Sequence, residues 1–119
     1  MNKRHLLRAS AAAIALLCLG GQAAAQAPAF PPSKPITLYV GFAPGGAADA
    51  AARMIGKKLA ENIGQSVVVE NKAGAGGNIV HQQVAQGPAD GTALLLGSIG
   101  PLTIAPHMMK VGYDPFKDL

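Results

Sequence analysis

Three short stretches concentrate glycine beside one acid and one hydroxyl: APGGAAD at residues 43–49, KAGAGGN at 72–78 and GSIGP at 97–101. Such loops carry almost no side chains, so their chemistry lies in the main chain. With no Cβ in the way, backbone N–H groups can come within reach of a ligand. Where the loop opens a helix, unpaired N–H groups and the helix dipole both favour an anion. An exposed charge there gains about 0.3–1 kcal/mol, rising to ~2 when partly buried. Lys72 is the only cation within the three loops, so an anion held there rests mainly on backbone donors. One such loop alone serves equally well as a tight turn or a close helix–sheet contact. Three at the same edge of a fold point to a ligand site. Ser98 would end a strand at that edge and could donate its hydroxyl. Asp49 fits a helix cap better than a catalytic acid.

Phosphate motifs can be tested position by position. The nucleotide-cradling loop needs Gly-Lys-Ser/Thr five residues after its first glycine. Counting from Gly41, Gly46 fits, but Ala47 and Ala48 stand where lysine and the hydroxyl belong. The dinucleotide fingerprint G-x-G-x-x-G fails at Ala43 when counted from Gly41, and at Ile79 when counted from Gly74. Glu70 does mimic the ribose-binding acid of that fold, but Pro44 removes one donor and Asp49 would set a carboxylate near a pyrophosphate. His81 and His107 are far apart, without cysteines or clustered carboxylates, and make no zinc site. Met108 and Met109 read as core packing rather than soft-metal ligands. No serine sits in a nucleophile elbow, and no base is evident to activate one.

The elements that must position these loops follow from the apolar runs. ITLYVGF (36–42) is rich in β-branched and aromatic residues and predicts a strand. Pro44 pushes Ala43 into an extended conformation. A helix follows, with Asp49 as its cap and Ala52, Ile55, Leu59 and Ile63 along one face; Gly64 closes it. SVVVEN (66–71) predicts a second strand, and NIVHQQVAQ (78–86) a second helix capped by Asn78. GPADGT is turn chemistry, and ALLLGS (93–98) predicts a third strand. The remainder, broken by Pro101, Pro106 and Pro115, reads as loop with one short helix. Continuous apolar strands alternating with helices imply a parallel α/β sheet covered on both faces. If the third strand lies beside the first, opposite the second, crossover direction reverses between them. All three glycine loops then leave the carboxyl ends of strands at that switch point, where ligands bind in open α/β sheets.

The first 25 residues form a secretory signal peptide in three parts. Lys3, Arg4 and Arg8 precede an apolar run from Ala9 to Gly21, and Ala23 and Ala25 supply the small residues of a cleavage site. No adjacent arginine pair marks a twin-arginine route. Cys18 lies within the apolar run after Leu17 and fits no lipid-anchor signal. Without the signal, seven basic residues face six acidic ones, so the basic balance belongs to the export segment. No Lys/Arg cluster suited to nucleic acid remains. The exported chain has no cysteine and no further run long enough to span a membrane. Residues 26–35 form a proline-rich, extended arm, and 36–119 a single lobe.

PSKPITLYVGFAPGGAADAAARMIGKKLAENIGQSVVVENKAGAGGNI, with ADGTALLLGS and YDPFKDL, closely resembles the Bug family, the periplasmic solute-binding proteins of tripartite tricarboxylate transporters. The likeness runs from about Pro32 to the last residue. It implies the first lobe of a Venus-flytrap fold, type II-like and incomplete, because the family's proteins are much longer. It also implies a small carboxylate ligand, such as a dicarboxylate, citrate or an acidic amino acid. Carried onto this chain, the binding loops comprise Phe42, Ala43, Pro44, Gly45, Gly46, Ala47 and Asp49, then Gly74, Gly76, Gly77 and Asn78, then Ser98. Relatives often carry glycine or threonine where Ala47 and Ala48 precede the aspartate. The expected protein is a periplasmic, Sec-exported receptor that catalyses nothing and uses no cofactor or metal. Its partners would be a carboxylate and the membrane subunits of a transporter. The rival readings are an exported enzyme binding a nucleotide cofactor, and a sensor module of a signalling system.

Overall fold

The computed structural model describes residues 32–119; the expected signal peptide and the start of the proline-rich arm lie outside the described residues. The end of that arm is tied down, since Gln65 Nε2 donates to the Pro32 carbonyl at 2.6 Å.

Strand β1 (Ile36–Val40) leads into helix α1 (Ala47–Ile63), then β2 (Val67–Asn71), helix α2 (Asn78–Ala85) and β3 (Ala93–Leu96). A wide turn at Gly100–Ile104, in which Ala105 N–H bonds the Gly100 carbonyl, runs into the one-turn helix α3 (Ala105–Met108). The sheet order is β2-β1-β3, with every pair parallel. The chain therefore crosses from β1 to one side and returns past it to the other, as anticipated. Two right-handed crossovers of opposite direction set α1 and α2 on opposite faces.

One sheet face carries Leu38 and Val40, packed with Ala52 of α1 and with Val67, Val69, Leu94 and Leu96. Here the observed helix face differs from the expected one. The buried stripe of α1 is Asp49, Ala52 and Gly56, whereas Ile55 is half exposed. Gly56 explains the rotation. A Cβ there would lie 3.5 Å from both Val67 and Val69. The helix thus rests on the strands through small residues, and its larger aliphatic side chains sit aside. On the opposite face Lys72 lies over the Tyr39 ring, 5.2 Å from its centroid, and donates to Gln83 of α2 at 2.8 Å.

Helix ends also depart from expectation. Helix α1 starts two residues before Asp49, with Gly46 in extended conformation as the cap residue and no side-chain cap bond. Its close is as expected: Gly64 is left-handed, and its N–H reaches the Ala60 carbonyl. Helix α2 is preceded by left-handed Gly77, so Asn78 occupies the first helical position rather than the cap. Met108 and Met109, expected in the core, are both exposed. Among the described residues no helix is long and apolar enough to cross a membrane.

Candidate functional site

The second and third glycine loops meet the end of β1. A Cβ on Gly41, the residue after β1, would lie 2.9 Å from Gly77 Cα, closer than real Cβ contacts come, so the two can approach only through glycine. Around a Cβ on Gly77 would stand Pro101 Cγ at 3.2 Å, Ser98 Oγ at 3.7 Å and the Gly41 carbonyl at 3.8 Å. Gly77 is thus where the second and third loops and the root of the first come together. Ser98 Oγ is buried there with no hydrogen-bond partner, a hydroxyl with its donor still to place.

The first loop is shaped by an internal anion. Gly45 N–H donates to Asp49 Oδ2 at 2.9 Å, and Arg53 Nε donates to the same oxygen at 3.0 Å. Arg53 Nη2 stands 3.0 Å from Asp49 Oδ1, an ionic contact off the line of a hydrogen bond. Arg53 reaches on to Asn71 Oδ1 at 3.4 Å, while Asn71 Nδ2 holds the Phe42 carbonyl at 3.1 Å. The Arg53 guanidinium, then the Gly45 amide, holds the Asp49 carboxyl down at about 2, against an ordinary 3.8. The acid is therefore charged and committed inside the loop. It serves as neither cap residue nor free carboxylate, and it consumes the Gly45 amide. The first intrahelical bond of α1 runs from Ala50 N–H to the Gly46 carbonyl. That leaves the amides of Gly46, Ala47, Ala48 and Asp49 at the helix positions that have no intrahelical partner. Pro44, Gly45, Gly46 and Ala47 are all exposed, and a Cβ on Gly45 would meet nothing within 4 Å. An approaching solute finds open space there.

The second loop is shaped without charge. Gly74, Ala75, Gly76 and Gly77 all have positive φ, at 153°, 46°, 64° and 96°. Gly77 N–H closes the turn on the Gly74 carbonyl at 2.8 Å, so this amide too is spent within the protein. Asn78 Nδ2 donates to the Ala75 carbonyl at 2.7 Å. Buried His81 bonds the Gly77 carbonyl through Nδ1 at 2.9 Å, which places the proton on Nδ1. Tyr113 O–H lies 2.8 Å from both Asn78 Oδ1 and the Pro101 carbonyl. Burial pushes the Tyr113 phenol up, so it remains a donor.

Of the residues expected at the site, Phe42, Ala43, Pro44, Gly45, Gly46 and Ala47 form one exposed ridge. Gly77 and Ser98 come together against Gly41, at the root of that loop, and Gly74, Gly76 and Asn78 lie in the same turn as Gly77. The sequence reading missed Arg53, Asn71, His81 and Tyr113, which shape the loops. The signal for Arg53 was its place four residues after Asp49. Two cavities, of about 510 and 420 Å³, lie elsewhere, the larger between α2, β3 and the tail. Neither is lined by Gly45, Gly46, Asn78 or Ser98. Glu70, the would-be ribose acid, pairs with Lys72 at 3.1 Å. Among the described residues no cluster of three His, Cys, Asp or Glu side chains could hold a metal.

A parallel sheet whose glycine loops gather at its switch point defines a lobe of the periplasmic-binding-protein class. Solved structures agree. The chain superposes on Rpa4515 of R. palustris with adipate (TM-score 0.63, 38% identity), covering 71% of this chain and 29% of that one. It also superposes on MatC of Rhodopseudomonas palustris with bound malate (TM-score 0.64, 35% identity), covering 73% and 30%. Residues 51–119 match the model of the tripartite tricarboxylate transporter family receptor, and the chain belongs to that family. Two relatives from Bordetella pertussis are a UPF0065 protein, 48% identical over 83% of this chain, and protein BugT, 42% identical over 74%. The chain spans only 30% and 28% of those relatives' lengths.

Proposed function

We propose that this chain forms the first lobe of an extracytoplasmic receptor that captures a small dicarboxylate for a tripartite tricarboxylate transporter. The observation that carries the reading is the open start of α1. Gly46, Ala47 and Ala48 present helix-start amides without intrahelical partners at the end of an exposed ridge. The related structures that contain adipate and malate support a carboxylate as the solute. Those two acids differ in length and substituents but share a terminal carboxylate. A lobe that grips by main-chain donors suits the shared group; discrimination of the rest falls to whatever covers the other end. The binding set is Phe42, Ala43, Pro44, Gly46 and Ala47 of the first loop, Gly76 and Asn78 of the second, and Ser98. Asp49, Gly45, Gly74 and Gly77 hold its shape. The apolar run behind Lys3, Arg4 and Arg8 supports export to the periplasm. Receptors of this kind need no catalytic group or cofactor.

The test is titration of the isotope-labelled chain with malate, adipate and NAD, reading the backbone amide resonances. The reading expects shifts at Gly46, Ala47, Ala48 and Gly76 with the two dicarboxylates and none with NAD. Shifts with NAD alone would replace it with the nucleotide-enzyme reading.

A further inference from the structure

Ala75 holds a positive φ of 46° among three glycines that take theirs freely, and such a conformation at alanine persists only when surrounding contacts over-determine it. In the second loop those contacts converge on a residue 35 positions from Asn78. Tyr113 is 7% exposed, and its hydroxyl stands between Asn78 Oδ1 and the Pro101 carbonyl at 2.8 Å from each. Its single proton is shared by two acceptors, one at the end of the second loop and one at the end of the third. Asn78 passes the constraint on, since its Nδ2 holds the carbonyl of strained Ala75. The Tyr113 ring lies beside His81, with centroids 6.1 Å apart, and His81 holds the Gly77 carbonyl.

We propose that Tyr113 is the positioning residue of the second glycine loop, joining it to the third through one buried hydroxyl. It touches no solute. Its task is to keep the Gly76 amide and the Ser98 hydroxyl in fixed relation, so that both address one carboxylate. The role in binding rests on the receptor reading above; the lock on the backbone does not.

Tyr113→Phe removes the hydroxyl and keeps the ring, so it is the variant to measure. Amide hydrogen exchange on the full chain is expected to quicken about fivefold to tenfold at Gly77 and Asn78, whose N–H groups bond the Gly74 and Ala75 carbonyls, with β1 and β2 amides unchanged. Malate affinity, read from the Gly76 resonance, is expected to fall by a similar factor. Faster exchange spread evenly over sheet and loop would reduce Tyr113 to core packing and overturn the proposal, as would unchanged exchange in the loop. If malate and adipate shift nothing in the unsubstituted chain while the loop still loosens selectively, the lock stands and the receptor reading falls.

Discussion

The two loops that leave β1 and β2 are held in shape by opposite means. The first is drawn round a charge: Asp49, 5% exposed, pulls in the Gly45 amide and is matched by Arg53. The second is drawn round neutral groups: an asparagine, a tyrosine and a histidine bonded to carbonyl oxygens. A glycine-rich loop has little of its own to hold it, because glycine loses more backbone freedom on folding than any other residue. Both loops therefore depend on side chains supplied from outside them. The charged clamp comes from α1 and β2, nearby in sequence. The neutral one comes from α2 and the distant tail.

The comparison breaks most sharply at Gly77. Its φ of 96° and the Pro101 side chain leave no room for a branched residue. Gly77→Val is expected to cost about 2–3 kcal/mol in denaturant unfolding. Its amide shifts are expected to concentrate in the second and third loops, with the Gly45–Asp49 bond intact. Spread into the first loop instead would mean that the two are one unit. A smaller effect separates the clamps by pH. The folded Asp49 carboxyl titrates near 2, below its ordinary 3.8. Its stabilisation is therefore complete above about 3.8 and lost as pH falls towards about 2. Asp90 and Asp114 are held low too, by Thr92 and by the Phe116 amide respectively, and titrate alike in either protein. Subtracting the unfolding curve of Asp49→Asn from that of the parent isolates the Asp49 part. The difference is expected to shrink on acidification within that window, and a difference independent of pH there would deny the clamp its charge. The smallest effect is that of salt. Arg53 is more than half exposed, so raising ionic strength to about 0.5 M should modestly quicken exchange at Gly45 and leave Gly77 unmoved.

Much of the architecture was legible because the strands are apolar runs, two of them ended by glycine. Ile36 to Val40 and Ala93 to Leu96 were flanked in this way, and the alternation with helices implied the parallel sheet and its switch point. The face of α1 was legible only in part. Hydrophobic periodicity places Ala52 correctly but also rewards Ile55, whereas the close contact with β2 is made at Gly56, whose value lies in what it lacks. The caps misled for a related reason. Asp49 and Asn78 are residue types that favour cap positions, yet glycines took those places and freed both side chains to bond within their loops. That the glycine loops leave the same edge of the sheet could be read from the order of the elements alone. Their supports could not, since Tyr113 meets Asn78 only after the chain has passed through α2 and β3.

Asp49 settles the first loop before any solute is present. The carboxylate already occupies the seat at Gly45, so on the proposed receptor reading an incoming acid would find its neighbours arranged and need not rearrange them. Capture by such a surface is governed by how often the partners collide in a suitable orientation. The time a solute stays then records how well it fits, so selectivity among small acids would be written in the rate of escape.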